Sequence, residues 1–455
     1  MSRSSASESS DDEYYGDNGE EFRSNILNNK YALIEKIGFG SYSSVWLTYC
    51  IHDNNYYAIK IQNSEDYDEG IEELKILNKI KSLDSKYLIN IIEGFEVTKK
   101  DFVKKKFKKG NKIYTKKVQV NNKFVCMVLP LMACSLYSLI KRGKYSRGLD
   151  NDLLIKSAKC LLNSIKILHN NLRLCHTDIK PENMLISGYS LKINEIIDEY
   201  NKFNIKELYE AKVQEELKDK NYDLSNPNIK KKVRKVKSKI LKKIHSHLLD
   251  KMVSINQESE SDSEDESSNS ESSPEVDVID NKNLENCDIL LTDFGSNIKI
   301  KDLEDEEIQT RYYRAPEVIL NNKYDEKIDI WSIGCCLYEI YTGEILFNPD
   351  KDDDISRDMY HLILIKNVIG TFPKDFVKKS PVKKEFFNKE YKLKANANLL
   401  KPLDDLLNEV QSPNKKIKSI IKKCLVINPK DRLSISELCD IIDNDLNEDI
   451  NEILL

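Results

Sequence analysis

Four residues in this chain are spaced for phosphoryl transfer. The run His176-Thr177-Asp178-Ile179-Lys180-Pro181-Glu182-Asn183 carries a carboxylate, an ammonium two residues on and an amide five residues on. Asp178 can accept the proton of a hydroxyl, Lys180 can contact a transferring phosphoryl group and Asn183 can hold a metal ion. Asp293, in Asp293-Phe294-Gly295 at the end of the strand-like run Asp288 to Thr292, adds a second metal-holding group. Taken singly, each has a bland alternative: a surface loop of mixed charge, or a chance tripeptide. Eight residues in this order with partners on both sides outweigh it.

Such groups need elements that position them. Tyr31 to Ile37 and Val45 to Tyr49 read as strands around Gly38-Phe39-Gly40-Ser41-Tyr42-Ser43, where glycines let backbone amides fold over phosphates. A third strand, Tyr57-Ala58-Ile59-Lys60, follows at hairpin distance. Glu65 to Lys81 has apolar residues at helical spacing, and Leu153 to His169 is a clearer amphipathic helix that delivers the chain to Asp178. Lys123 to Leu129 is a buried-strand run ending at Pro130-Leu131-Met132.

Together these motifs resemble the eukaryotic-type protein kinases, over roughly Tyr31 to Arg432. The resemblance implies an α+β bilobal fold: a small antiparallel sheet with one main helix, then a larger helical lobe. It implies ATP and Mg²⁺ as cofactors. Nucleotide contacts are expected from Ile37, Gly38, Phe39, Gly40, Ser41, Tyr42, Ser43, Ser44, Val45, Ala58 and Lys60, with Glu73 pairing Lys60. Leu129 would stand beside the adenine, the Pro130 carbonyl would accept from it and the Met132 N–H would donate, because proline keeps its carbonyl but lacks an N–H. Asp178 and Lys180 are the expected catalytic pair, with Asn183 and Asp293 on the metal. Thr310 is expected to bond Asp178 and Lys180, Glu317 to pair with Arg432, and Asp329 to brace the catalytic loop.

Composition sets the rest. In 455 residues, 71 basic side chains nearly balance 76 acidic ones, so the net charge of -5 says little until the charges are located. Residues 1–28 are Ser- and acid-rich and are expected to be disordered. The small lobe is placed at 29–132, with a basic loop at 98–122, and the large lobe at 133–189 and 286–445. An insert fills 190–285 and a short tail 446–455. The insert holds a basic block, Lys230 to Lys237, open to three readings: a nuclear address, a nucleic-acid contact or a solvated helix. After it, Gln257 to Ser273 is acidic and Ser-rich and is expected to be disordered, with charges that could pair intramolecularly with the basic block. The ten cysteines show no metal-ligand spacing and read as reduced thiols. With no long apolar run, the expectation is an intracellular protein, cytoplasmic or nuclear, without membrane contact.

Within the kinases, the Gly38 to Leu47 run, the His176 to Asn183 run, Ile308 to Arg314 and the long insert closely resemble the SR-protein kinases, which phosphorylate serines in Arg/Ser-rich splicing factors. That implies Arg/Ser-rich protein substrates, and the acidic segment at Asp302, Glu304, Asp305, Glu306 and Glu307 suits a basic peptide. A monomer is expected, with nucleic acid not the main partner. Two acids of the family's docking helix fall at Tyr360 and Asn367, while Asp350-Lys351-Asp352-Asp353-Asp354 lies just upstream. Thr177 stands where most kinases have arginine, which removes the main counter-charge for a phosphorylated activation loop. The alternative is a catalytically weak, kinase-like scaffold acting through its charged insert.

Overall fold

The computed structural model describes residues 22–40, 42–109, 112–141, 145–218, 225–261, 279, 284–303, 308–349, 355–397, 399–410 and 413–443, by backbone alone at 101–109, 112–116 and 253–261. The chain divides into two units. One comprises Met1–Gly70, Glu93–Val128 and Phe203–Ser261; the other comprises Ile71–Ile92, Leu129–Lys202 and Asp262–Leu455.

The first unit is built on a sheet. Along the chain come β1 (Ile26–Leu27), β2 (Tyr31–Phe39), β3 (Ser43–Cys50), β4 (Asn55–Gln62), the start of α1 (Tyr67–Leu83), whose turns from Ile71 on belong to the second unit, β5 (Glu93–Lys109) and β6 (Lys112–Leu129). The six strands lie in the order β1-β2-β3-β4-β6-β5. Alternation along the strands buries Leu33, Trp46, Ile59, Ile61, Phe124, Cys126 and Val128 in one core. Two expectations change here. Phe22 and Leu27, placed in the disordered tail, belong to this core, Phe22 edge-on to Phe124 at 5.0 Å. The basic run at 98–122 is not a loop: β5 and β6 pair without interruption from Glu93↔Val128 to Lys109↔Lys112. Its many lysines hid a ladder of paired backbone.

The second unit is mainly helical. It takes up β7 (Met132–Ser135), α2 (Leu136–Lys141), α3 (Asn151–Lys166), β8 (Leu174–Cys175), β9 (Met184–Ser187) and α4 (Leu191–Asn201). Asp150 caps α3 by accepting from the Leu153 N–H at 3.0 Å. The expected helix through His169 stops being α at Lys166; Ile167–Leu172 widens into a π turn that ends at Arg173, φ 56°. That change of pitch aims the chain into β8 and the catalytic run.

α5 (Ile205–Leu217) and α6 (Pro227–Ser261) return to the first unit. α6 packs on α5, β1 and β2 and buries Val233, Leu241, His245, Leu248 and Leu249, and His245 Nε2 meets the Leu33 carbonyl at 2.7 Å. The basic block is thus a docked helix with a buried edge rather than a fully solvated one. Of the acidic tract expected to be disordered, Gln257 to Ser261 continue α6, and the remainder lies outside the described residues.

The second unit resumes with β10 (Ile289–Leu291) and β11 (Ile298–Lys299), which pair with β9 and β8. α7 (Pro316–Ile319), α8 (Lys327–Thr342), α9 (Arg357–Ile369), α10 (Lys374–Lys379), α11 (Lys383–Phe386), α12 (Leu403–Asn408), α13 (Lys415–Cys424) and α14 (Ile435–Asp443) complete it. α8 is buried all round from Ile328 to Tyr341. At Gly334 a Cβ would stand 2.8 Å from Cys424 Cβ, so only glycine lets α13 approach this closely. Arg432 and Glu317 form the expected ion pair, both side chains essentially fully buried. All ten cysteines are free thiols and nine are buried. Among the described residues, no helix is long and apolar enough to cross a membrane.

Candidate active site

The catalytic run is held by one carboxylate. Asp329, near the start of α8 and fully buried, accepts from the backbone N–H of His176 at 2.8 Å and of Thr177 at 3.0 Å, and meets His169 Nε2 at 2.8 Å. Burial pushes its carboxyl up, but the His169 hydrogen bond, the neighbouring imidazoles and the Thr177 amide outweigh that and hold it below the ordinary carboxylate value. Thr177 adopts φ 66°, costly for a β-branched residue. The two amide bonds to Asp329 and the Thr177 hydroxyl, which donates to the Ser296 carbonyl at 2.7 Å, over-determine that conformation.

Beyond Thr177 the chemistry-bearing groups converge. Asp178 Oδ2 lies 2.7 Å from Lys180 Nζ, and Asp178 Oδ1 accepts from the Thr310 hydroxyl at 2.6 Å. Lys180 Nζ also donates to Thr310 Oγ1 at 3.3 Å. Asn183 closes the loop from a short 3₁₀ turn, its Nδ2 donating to the Asp178 carbonyl at 2.8 Å and to Oδ2 at 3.2 Å. Its amide oxygen is thereby turned away from these contacts and kept for another donor or cation.

The β9–β10 ladder brings Asn183 beside Asp293. Met184, next to Asn183, pairs with Leu291, and the Thr292 N–H donates to the Asn183 carbonyl at 3.0 Å. Asp293 sits at φ 66° and Phe294 is fully buried edge-on to His176, ring centroids 5.8 Å apart. Glu73, on the α1 turns within the second unit, reaches the same place: a Cβ on Gly295 would lie 3.6 Å from Glu73 Oε2 and 3.8 Å from Asp293 Oδ1. The oxygen donors of Asp293 and Asn183 suit a hard divalent cation, so these residues fit the metal that the fold implies.

In the first unit, Gly40 N–H donates to the Ser43 carbonyl at 2.9 Å, closing a tight turn between β2 and β3. Phe39 and Tyr42 project from that turn into solvent, 84% and 64% exposed. Lys60 lies opposite Val45 and the buried Ala58 opposite Leu47 in the β3–β4 register. Ile37, Gly38 and Ser43 flank the turn on β2 and β3. Ser44 is buried with its hydroxyl engaged by Trp46 Nε1 at 3.1 Å, so a ligand contact from Ser44 would come from its backbone. Ser41 lies outside the described residues, as do Glu304 to Glu307 and Asp350 to Asp354. In the second unit, Leu129 is buried, Pro130 half-buried, and Met132 begins β7.

Sequence reasoning missed Gln309. At φ 69° and buried, it donates to the Ile328 carbonyl at 3.0 Å and to Ser332 Oγ at 2.7 Å, and accepts from the Ala315 N–H at 2.9 Å. It ties the segment bearing Thr310 to α8. Nothing in the residue type announces this; only its place next to Thr310 could have drawn attention.

Comparison with known proteins shows the family. The model of the protein kinase domain matches residues 31–198 and 278–441. A serine/threonine-protein kinase of Acanthamoeba polyphaga mimivirus is 29% identical, over 80% of this chain and 76% of its own. The serine/threonine-protein kinase SRPK of Physarum polycephalum is 26% identical, over 83% of this chain and 74% of its own. A crystallised kinase domain superposes with a TM-score of 0.57 at 21% identity, covering 92% of this chain and 97% of that one.

Proposed function

The chain belongs to the protein kinase family and is a serine/threonine protein kinase near the SR-protein kinases, and from that premise we propose that it transfers the γ-phosphate of Mg²⁺-bound ATP to serines of Arg/Ser-rich protein segments. The observation that carries the reading is the closed set Asp178, Lys180, Thr310 and Asn183 around one point. Mg²⁺ would neutralise charge on the phosphates, with Asn183 and Asp293 as its protein ligands. Thr310 and Asn183 fix the Asp178 carboxylate, so that it meets an incoming hydroxyl in one orientation and accepts its proton. Lys180, already paired with Asp178, is the cation that follows the transferring group.

In the same reading Lys60 contacts the α- and β-phosphates and pairs with Glu73. Leu129, Pro130 and Met132 receive the adenine, and the turn from Ile37 to Val45 covers the phosphates. The preference for Arg/Ser segments is supported by relatives named for it, among them SRSF protein kinase 3 of Mus musculus. Labelled γ-phosphate transfer to an Arg/Ser-repeat peptide, an acidic peptide and a Lys/Ser peptide tests this. Preference for the Arg/Ser peptide is expected; equal use of all three would remove the substrate assignment while leaving the kinase.

A further inference from the structure

The outer face of α6 has no part in phosphoryl transfer, and its chemistry is of one sign. Lys230, Lys231, Lys232, Arg234, Lys235, Lys237, Lys239, Lys242 and Lys243 are all exposed. No acidic residue occurs in the helix before Asp250, and no ion pair among the described residues involves any of the nine. Like charges this dense destabilise an isolated helix. Here the buried Val233, Leu241, His245, Leu248 and Leu249, on a helix packed against α5, β1 and β2, hold it in place and fix which side faces out.

Spacing turns the cluster into a ribbon. Lys231, Lys235, Lys239 and Lys243 recur at i, i+4, i+8 and i+12, with Lys232 and Lys242 alongside, so six cations share one side of the helix. At 1.5 Å per residue that ribbon is about 18 Å long, the rise of about five phosphates along one strand of a duplex. No Phe, Tyr or Trp lies between Pro227 and Ser261, and none of the six cations is flanked on this side of the helix by a large aromatic ring on which unpaired bases could stack. A straight cationic edge without Phe, Tyr or Trp is suited to the backbone of a double helix, where charge rather than base identity is read.

We propose that the exposed face of α6 binds the phosphate backbone of double-stranded nucleic acid, independently of base sequence and of the catalytic residues. Binding is electrostatic, so the logarithm of affinity falls with the logarithm of salt at a slope of roughly -5 for five or six neutralised phosphates.

The experiment is fluorescence anisotropy of the full chain with a labelled 20-base-pair duplex of random sequence, from 50 to 300 mM NaCl. It is repeated with Lys231→Glu, Lys235→Glu, Lys239→Glu and Lys242→Glu combined. A matched variant reverses the exposed Lys374, Lys379, Lys384 and Lys389 of the second unit, giving the same change in net charge. The expected result is at least a tenfold loss of affinity and a flatter salt slope in the α6 variant, with the control close to wild type. Should the glutamate variant lose helix by circular dichroism, Lys→Gln at the same four positions keeps helix propensity and removes the charge. Absence of binding by wild type, or equal loss in both variants, would overturn the assignment. So would binding of a polyphosphorylated peptide with none of the duplex, since it would hand the same face to a protein partner.

Discussion

The Thr310 hydroxyl donates to Asp178 Oδ1 across 2.6 Å, joining residues 132 positions apart in sequence. The activation segment thus reaches directly into the catalytic run and restrains the group that must accept a proton. A hydrogen bond to a carboxylate contributes about 1.5–3 kcal/mol. Thr310→Ala should lower kcat by roughly tenfold with little change in KM for ATP, because the lost restraint acts on Asp178 and not on nucleotide binding. Thr310→Ser should recover most of the rate. An alanine variant with wild-type kcat would show that the contact is idle.

Thr177 gives a second expectation. Its hydroxyl is bonded to the Ser296 carbonyl, and no arginine stands there to meet a phosphate on the activation segment. Phosphatase treatment should therefore leave the rate unchanged, as measured on enzyme confirmed to be unphosphorylated by intact mass. Thr177→Val should lower it several-fold by freeing Ser296. A strict requirement for prior phosphorylation would refute this.

Arg432 and Glu317 test the frame of the helical unit. Arg432 holds both carboxylate oxygens of Glu317, at 2.5 and 2.7 Å, while its remaining donors reach the Val426, Ile427 and Lys327 carbonyls. Removing one partner of a buried pair leaves an uncompensated charge, at a cost of about 3–5 kcal/mol. Glu317→Gln should lower the thermal midpoint by several degrees, and the double change Glu317→Leu with Arg432→Met should be milder than the sum of the two single changes. Strict additivity would mean that the two side chains are not energetically coupled.

His245 makes the docking of α6 pH-sensitive. Burial lowers its pKa to about 4, against a small opposing effect of the Leu33 carbonyl, so it is neutral when docked. A released histidine regains its ordinary value near 6.5 and takes up a proton below it. The released state then binds more protons, and docking is fully stable above pH 6.5 and weakens as pH falls toward 4. Hydrogen exchange of the α6 amides should speed up between pH 7 and pH 5 after correction for intrinsic rates, and His245→Phe should remove the extra acceleration. Exchange that follows the intrinsic rates alone would contradict it.

The catalytic set was legible because phosphoryl transfer demands particular groups at fixed spacing, and Asp178, Lys180 and Asn183 share one short run. Asp329, Thr310 and the Glu317–Arg432 pair were also readable from their motifs. The basic hairpin from Glu93 to Leu129 was not, since backbone pairing in a lysine-rich strand leaves no alternation of apolar and polar residues. Phe22 was hidden by the acidic, Ser-rich residues before it. The docked edge of α6 escaped notice because Val233, Leu241 and His245 are sparse among lysines, and only the sheet beneath shows which side they face.

Transfer of labelled γ-phosphate from ATP to an Arg/Ser-repeat peptide, run on wild type and on Asp178→Asn with and without Mg²⁺, bears on the whole assignment at once. The substitution removes the proton acceptor while keeping the size of the side chain that Thr310 and Asn183 surround. The expected result is Mg²⁺-dependent transfer by wild type and a loss of at least about a hundredfold in kcat for the variant, with ATP binding retained. Full transfer by Asp178→Asn would contradict the role given to this carboxylate, and with it the reading of the site.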